Sequence, residues 1–316
     1  MKHTIYLIIL LLFNSCGFFK PDSVPHGIDE FAYEPFGKNG RGSKTAILPE
    51  SSTLKLTDNL PKLDGATAIY PLYAAFVQAV YPEGDYYTYH NPIVGMTTTP
   101  KAYENLINGK VDIIFCAKPS NEQIERAKEK GVNFNMTPIG KEAFVFFVNK
   151  KNPVNNLSIE QVRNIYSGKT KKWSALGGKH RKIIAYQRPK NSGSQTILES
   201  IMGEENIVKP LTENVVEVMD GIINRTAEYR NHKNAIGYSF LFYTTQMVRN
   251  DKIKLLSING VLPSKETILN ETYFYTDSFY AITTDTDNEN VNAFVDWILS
   301  EQGQYLVDKT GYVPVK

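Results

Sequence analysis

From about residue 58 onward, short unbroken apolar runs alternate with stretches in which apolar residues recur every three or four positions. That alternation is the pattern of an α/β protein whose strands are covered by helices, with largely parallel sheets. Ile69, Leu72, Tyr73, Phe76 and Val80 predict a helix over about 68–81 with one buried face. Residues 111–116 read as a buried strand and 120–130 as a helix. That helix opens on Ser120-Asn121-Glu122-Gln123, a spacing in which the serine and glutamine side chains satisfy each other's free backbone N–H groups. The run 143–148 is uniformly apolar, as expected of a strand covered on both faces. Ser158 and Gln161 repeat the capping pattern ahead of a short helix ending near Tyr166. Residues 182–187 are a further strand candidate, and the helix after 188–194 carries Ile197, Leu198 and Ile201. Residues 273–283 read as a strand, and a last helix over about 288–301 has Val291, Phe294, Val295, Ile298 and Leu299 on one face with Gly303 beyond its end.

The first residues break this pattern. Lys2 and His3 precede nine apolar residues, 5–13, and then Asn14-Ser15-Cys16. Such a run is far short of the roughly 20 residues that cross a bilayer, and it reads as an export signal over 1–15. A small residue directly before a cysteine matches the cleavage site of bacterial lipoproteins, so lipidation of Cys16 is expected, although Phe13 and Asn14 depart from the commonest form. An ordinary secretory signal is the alternative. Residues 16–57 hold Pro21, Pro25, Pro35 and Pro49 with Gly37, Gly40 and Gly42 and show no sustained period. They read as a tether that packs on the body near 31–36. With Cys16 lipidated, Cys116 has no cysteine to pair with. Its neighbours Ile113, Ile114 and Phe115 make it a small buried hydrophobe.

A chain of 316 residues exceeds one ordinary hydrophobic core and suits two lobes. Its 35 basic and 33 acidic residues leave a net charge of +2, which excludes the broad basic surface that holds nucleic acid. A bound anion must therefore be held by local dipoles and a few placed side chains.

Three segments offer such dipoles. Asp64-Gly65-Ala66-Thr67, Cys116-Ala117-Lys118-Pro119-Ser120 and Asn191-Ser192-Gly193-Ser194 each precede a predicted helix. A helix start exposes unpaired N–H groups and about half a positive charge, and so attracts anions. Hydroxyls at Thr67, Ser192 and Ser194 add donors, and Arg188 offers a fork for two oxygens. Taken singly, each segment is more often a plain helix cap. Gly168-Lys169-Thr170 is not a nucleotide loop, since Arg163 stands where its first glycine belongs.

The blocks that follow in order from 138 to 203 are Pro-Ile-Gly-Lys-Glu-Ala-Phe-Val-Phe-Phe-Val-Asn, Asn-Pro-Val-Asn-Asn-Leu-Ser-Ile-Glu-Gln-Val-Arg-Asn-Ile-Tyr-Ser-Gly-Lys, Lys-Trp, Gly-Gly and Gln-Arg-Pro-Lys-Asn-Ser-Gly-Ser-Gln-Thr. With Gly65-Ala66-Thr67 near the start and Gly311-Tyr312-Val313-Pro314 at the end, they resemble the PstS-like phosphate-binding components of ABC phosphate transporters over roughly 58–316. The resemblance implies the two-lobed type II periplasmic-binding-protein fold, each lobe a mostly parallel sheet flanked by helices and the two joined by crossing strands. Lobe one would comprise 58–140 with 273–316 and lobe two 141–272. Carried over by position, Thr67, Ala68, Cys116, Lys118, Arg188, Ser192, Gly193 and Ser194 would surround an anion in the cleft, buried by lobe closure. The implied partners are inorganic phosphate or a similar oxyanion, an ABC permease and a membrane reached through the lipid anchor. A monomer without cofactor or metal is expected.

Two departures bear on the ligand. Where many relatives carry serine and then an acidic or basic residue in the second turn, this chain has Cys116-Ala117-Lys118. A carboxylate acceptor can tell phosphate, which keeps a proton near neutral pH, from sulfate, which does not. Asp64 could replace it or could be an ordinary turn residue, and Lys118 could face the anion or solvent. Sulfate and molybdate therefore stay open, as does a sensor role. Catalysis is disfavoured, because His3, His26, His90, His180 and His232 lack metal-ligand spacing and no serine sits in Gly-x-Ser-x-Gly. A sugar- or peptide-binding surface would need exposed aromatics, whereas Phe144, Phe146 and Phe147 read as core.

Overall fold

The computed structural model describes residues 30–37, 42–86, 93–203, 206–228 and 234–315. The expected signal segment and Cys16 lie outside them. In chain order the elements are β1 (Leu63–Gly65), α1 (Tyr70–Val80), α2 (Thr99–Ile107), β2 (Ile113–Cys116), α3 (Asn121–Glu129), β3 (Asn135–Asn149), β4 (Asn156–Leu157), α4 (Ile159–Tyr166), β5 (Ile184–Ala185), α5 (Gly193–Met202), α6 (Met219–Ala227), β6 (Ala235–Phe240), β7 (Ile253–Leu255), β8 (Ser257–Ile258), α7 (Lys265–Leu269), β9 (Thr276–Thr283), α8 (Glu289–Ile298) and α9 (Glu301–Thr310). Strands and helices form two lobes, each with its own apolar cluster.

The strands that belong to one lobe alone pair in parallel: β1 with β2, β5 with β6, and β4 with β8. Antiparallel pairing enters through the long strands that cross between lobes. Residues 135–143 of β3 pair with β9, which also pairs with β2, while residues 144–149 pair with β6 and β7. The 143–148 run is fully buried, as expected of a strand covered on both faces. Phe144, Phe146 and Phe147 are at most 1% exposed, so the aromatic run is core and offers no stacking platform.

Capping decides where helices begin. Ser120 and Ser158 both form the reciprocal cap with Gln123 and Gln161. A short 3-10 turn, Thr67–Ile69, leads into α1, whose Pro71 lies in the first helical turn where its missing N–H costs nothing. Gly168 ends α4 at φ +74°, a helix stop. The N-terminal extension packs on lobe one. Phe36 meets the Tyr86 ring at 6.1 Å, and Thr45 donates to Gln78.

The C-terminal end departs from the sequence expectation. The predicted helix over 288–301 stops at Ile298, Ser300 caps a second helix, and Gly303 lies inside that helix instead of ending the first. The reason is a close approach: a Cβ on Gly303 would stand 2.2 Å from the Ile298 carbonyl oxygen. A tight corner between α8 and α9 thus requires glycine, which periodicity alone cannot reveal. Gly303→Ala is expected to destabilise the fold by about 1–3 kcal/mol, measured as a lower urea midpoint; an unchanged midpoint would refute the close approach.

Candidate functional site

The first turn is tied down by Asp64, which is buried and whose carboxylate accepts four hydrogen bonds. Gly65 N–H and Thr97 N–H reach Oδ1 at 2.8 and 2.9 Å, and Thr97 Oγ1 and Asn105 Nδ2 reach Oδ2 at 2.6 and 2.8 Å. Asp64 is therefore a structural turn residue with both oxygens engaged. It fixes the start of the Thr67–Ile69 turn against the segment leading to α2. Thr67 is half-buried, and Ala68 is buried with its carbonyl accepting from the Tyr312 hydroxyl.

The second turn leaves β2 at Cys116. This thiol is fully buried and pushed well above the ordinary thiol range by burial and by nearby Asp64, partly offset by hydrogen bonds from the Ala66 backbone and Thr99. It behaves as a small un-ionised core group. Ala117 follows, its carbonyl held by the Tyr103 hydroxyl at 2.7 Å. Lys118 is half exposed, and its Nζ lies 3.0 Å from Asp277 Oδ1; Asp277, with Tyr280, raises its pKa.

On the other lobe, Ser192 caps α5, its hydroxyl accepting from Gln195 N–H. Gly193 and Ser194 are the first helical residues, whose N–H groups have no partner inside the helix. Ser194 Oγ is buried, as are Arg188 Nε and Nη1, and these atoms find no hydrogen-bond partner among the described residues. Burial pulls the Arg188 pKa down, against the opposing pull of Tyr238, Tyr243, Glu217 and Asp220, but a guanidinium stays charged. Buried donors left unpaired are costly, so this corner of lobe two is built with hydrogen-bonding capacity in reserve.

One cavity lies between the lobes. Ala66, Ala68 and Ile69 line it from the first turn, Thr99 from the start of α2, Ala117 from the second turn, and Gly193 and Ile197 from α5. Each helix start thus meets the cavity through a small residue or a threonine, so main-chain dipoles can come close. Gly193 keeps this contact close: a Cβ there would stand 3.0 Å from Thr99 Oγ1. Glu142, Phe240, Asp277, Ser278, Phe279 and Tyr312 complete the wall. Of the residues expected from sequence, Ala68 and Gly193 line the cavity. Thr67, Cys116, Lys118, Arg188, Ser192 and Ser194 stand beside it in chain or in contact. Outside the cavity the lobes touch through Ser120 Oγ–H to Asn191 Oδ1 at 2.8 Å and an exposed Lys190–Glu122 pair at 2.7 Å.

The polar wall residues Thr99, Glu142, Asp277, Ser278 and Tyr312 were not among the site residues expected from sequence. Thr99 had a usable signal, since Thr98-Thr99-Pro100 is a helix opening. Glu142, Asp277 and Tyr312 come from the crossing strands and the chain end, and only tertiary pairing brings them together. Glu142 is Cα partner to Asp277 across the β3–β9 ladder. Burial, against the opposing effect of the Ala143 and Phe242 backbone N–H groups that donate to it, pushes the Glu142 carboxyl up to about 8.

With this geometry the sequence profile of the PBP superfamily domain agrees, matching residues 57–302. The chain belongs to the PBP superfamily. It is 25% identical over 230 residues to the phosphate-binding protein PstS of Staphylococcus epidermidis, covering 69% of this chain and 68% of that one. It is 23% identical over 227 residues to the PstS of a bovine strain of Staphylococcus aureus, at the same coverage. Among solved structures, it superposes with a TM-score of 0.63 on a putative phosphate ABC transporter substrate-binding protein with bound phosphate from Clostridium perfringens. That pair is 24% identical and covers 83% of this chain and all of the other. A phosphate transport receptor from Vibrio cholerae gives 0.61 at 20% identity, covering 82% and 99%. At these identities the two structures bear on the fold alone.

The raised Glu142 carboxyl makes a stability prediction. The folded protein holds this proton more tightly than the unfolded chain does, so the contribution is full below about pH 4.5 and is lost as pH rises to about 8. Urea midpoints should therefore fall more between those two limits in the wild type than in Glu142→Gln; equal pH dependence would show that Glu142 carries no such shift.

Proposed function

We propose that this protein captures inorganic phosphate between its lobes and hands it to the permease of an ABC importer. The observation that carries the reading is the meeting of helix starts from both lobes at one cavity, through Ala68, Thr99, Ala117 and Gly193. A dehydrated anion is stabilised where such dipoles converge, and the nearly neutral chain supplies no broad attractive field of its own. The spare donors of Arg188 and Ser194 stand next to that wall in sequence and fold, and the relatives named above carry phosphate-binding names.

In this reading Thr67, Ala68, Cys116 and Lys118 belong to the lobe-one side of the site and Arg188, Ser192, Gly193 and Ser194 to the lobe-two side. Lobe one is 58–140 with 273–316 and lobe two is 141–272. The lobes part to admit the anion and close on it. The chain is exported by the 1–15 segment and anchored through lipid on Cys16, and it binds its ligand without transforming it. Among the described residues no helix is long and apolar enough to cross a membrane. Sulfate or molybdate is the second reading, favoured by Ala117, which leaves the second turn without a carboxylate to accept a proton from phosphate.

Calorimetric titration with phosphate and then sulfate tests this. Phosphate should bind, and Ser194→Ala should weaken it by roughly 10-fold and Arg188→Ala by roughly 10- to 100-fold. Ser194→Ala should leave the urea midpoint almost unchanged, because its hydroxyl has no protein partner to lose. Sulfate binding alone selects the second reading, and no heat with either anion would sink both.

A further inference from the structure

Two carboxyl groups face the cavity from the crossing strands, directly opposite one another, and they are not equivalent. Asp277 on β9 is about a third exposed and pairs with Lys118 at 3.0 Å. Glu142 on β3 is buried, and among the described residues no cation pairs with it. Oε1 accepts from Ala143 N–H at 2.9 Å and Oε2 from Phe242 N–H at 3.2 Å. The charged and titratable groups around it are otherwise engaged. Asp277 and Lys118 hold each other, Tyr312 from the chain end donates to the Ala68 carbonyl, and neighbouring Lys141 lies 2.8 Å from Glu271 on the surface. Tyr243, which follows Phe242, has its own partners.

A carboxylate at Glu142 would sit opposite a second carboxylate, away from water, and against any anion drawn into the cavity. Each of these disfavours charge. Burial outweighs the two backbone N–H donors and pushes its pKa up to about 8, and an incoming anion acts in the direction of burial. The two backbone N–H groups occupy one lone-pair direction on each oxygen and leave room for an acid O–H aimed elsewhere.

Resting on the oxyanion reading above, we propose that Glu142 enters the binding site as a neutral carboxylic acid and donates a hydrogen bond to the captured anion. Capture is thereby coupled to one proton held at Glu142, and loss of that proton favours release. No covalent bond changes: the proton comes from solvent and stays on the carboxyl.

The test is calorimetry with inorganic phosphate between about pH 8 and pH 9.5, where this probe keeps one charge state. Each pH is measured in two buffers of different ionisation enthalpy. Wild-type affinity should fall close to 10-fold per pH unit, with about one proton taken up per anion as pH rises through the range. Glu142→Gln should lose that slope and that uptake, with its urea midpoint checked for folding. The wild-type comparison of buffers stands even if the variant does not fold. Wild-type binding with a level profile and no proton uptake overturns the coupling and leaves the oxyanion reading intact. The same slope in Glu142→Gln overturns the assignment to this residue, and no binding at any pH, including pH 7, overturns the oxyanion reading and this inference together.

Discussion

The β3–β9 ladder is the constraint on which the rest of the structure depends. Its antiparallel register, with Asn135 opposite Thr283 and Ala143 opposite Thr276, carries the chain out of lobe one and back into it. The chain end is pinned to the same place. Lys141 and Val313 exchange backbone hydrogen bonds, and the Tyr312 ring packs between Phe242 and Phe279 at 4.6 and 5.1 Å. One aromatic side chain thus touches the crossing strand, the other lobe and, through its hydroxyl, the first helix start.

That arrangement explains why the site sits where it does. The parallel strands of each lobe end toward the crossing, and their following helices begin there, so positive helix ends face the cleft from both sides. Small residues at the contacts let these ends approach. Gly193 packs against Thr99, where a Cβ would stand 3.0 Å from Oγ1. Charge placement follows the same logic. Lys118 and Asp277 neutralise one another at the rim, and Arg188 is set back in lobe two with donors unused. Glu142 lies at the point where all these elements meet.

Much was legible in the chain. The 143–148 run, the two Ser-x-x-Gln caps and the turns before α1, α3 and α5 all depend on contacts within a few residues, and local patterns report them faithfully. The strand over 182–187 shrinks to Ile184–Ala185, the residues with Cα partners in β6, while Lys182 and Gln187 bridge instead to Lys172 and Val215. α2 and α6 were missed, since Thr97-Thr98-Thr99 and the glycine in α6 weaken the helical pattern while packing against strands sustains the helix.

By itself the sequence determined the α/β class, the order of its blocks, the helix starts that can attract an anion and the apolar identity of the core. Those follow from interactions between neighbours along the chain, which leave a period or a cap behind. Tertiary structure decided that Asp64 is spent on Thr97 and Asn105, that Lys118 answers Asp277 and that Glu142 faces Asp277 across the hinge. The partners in these contacts lie 33 to 159 positions apart where they bond through side chains. Contacts that distant depend on strand register and lobe packing, and register leaves no mark on either residue alone.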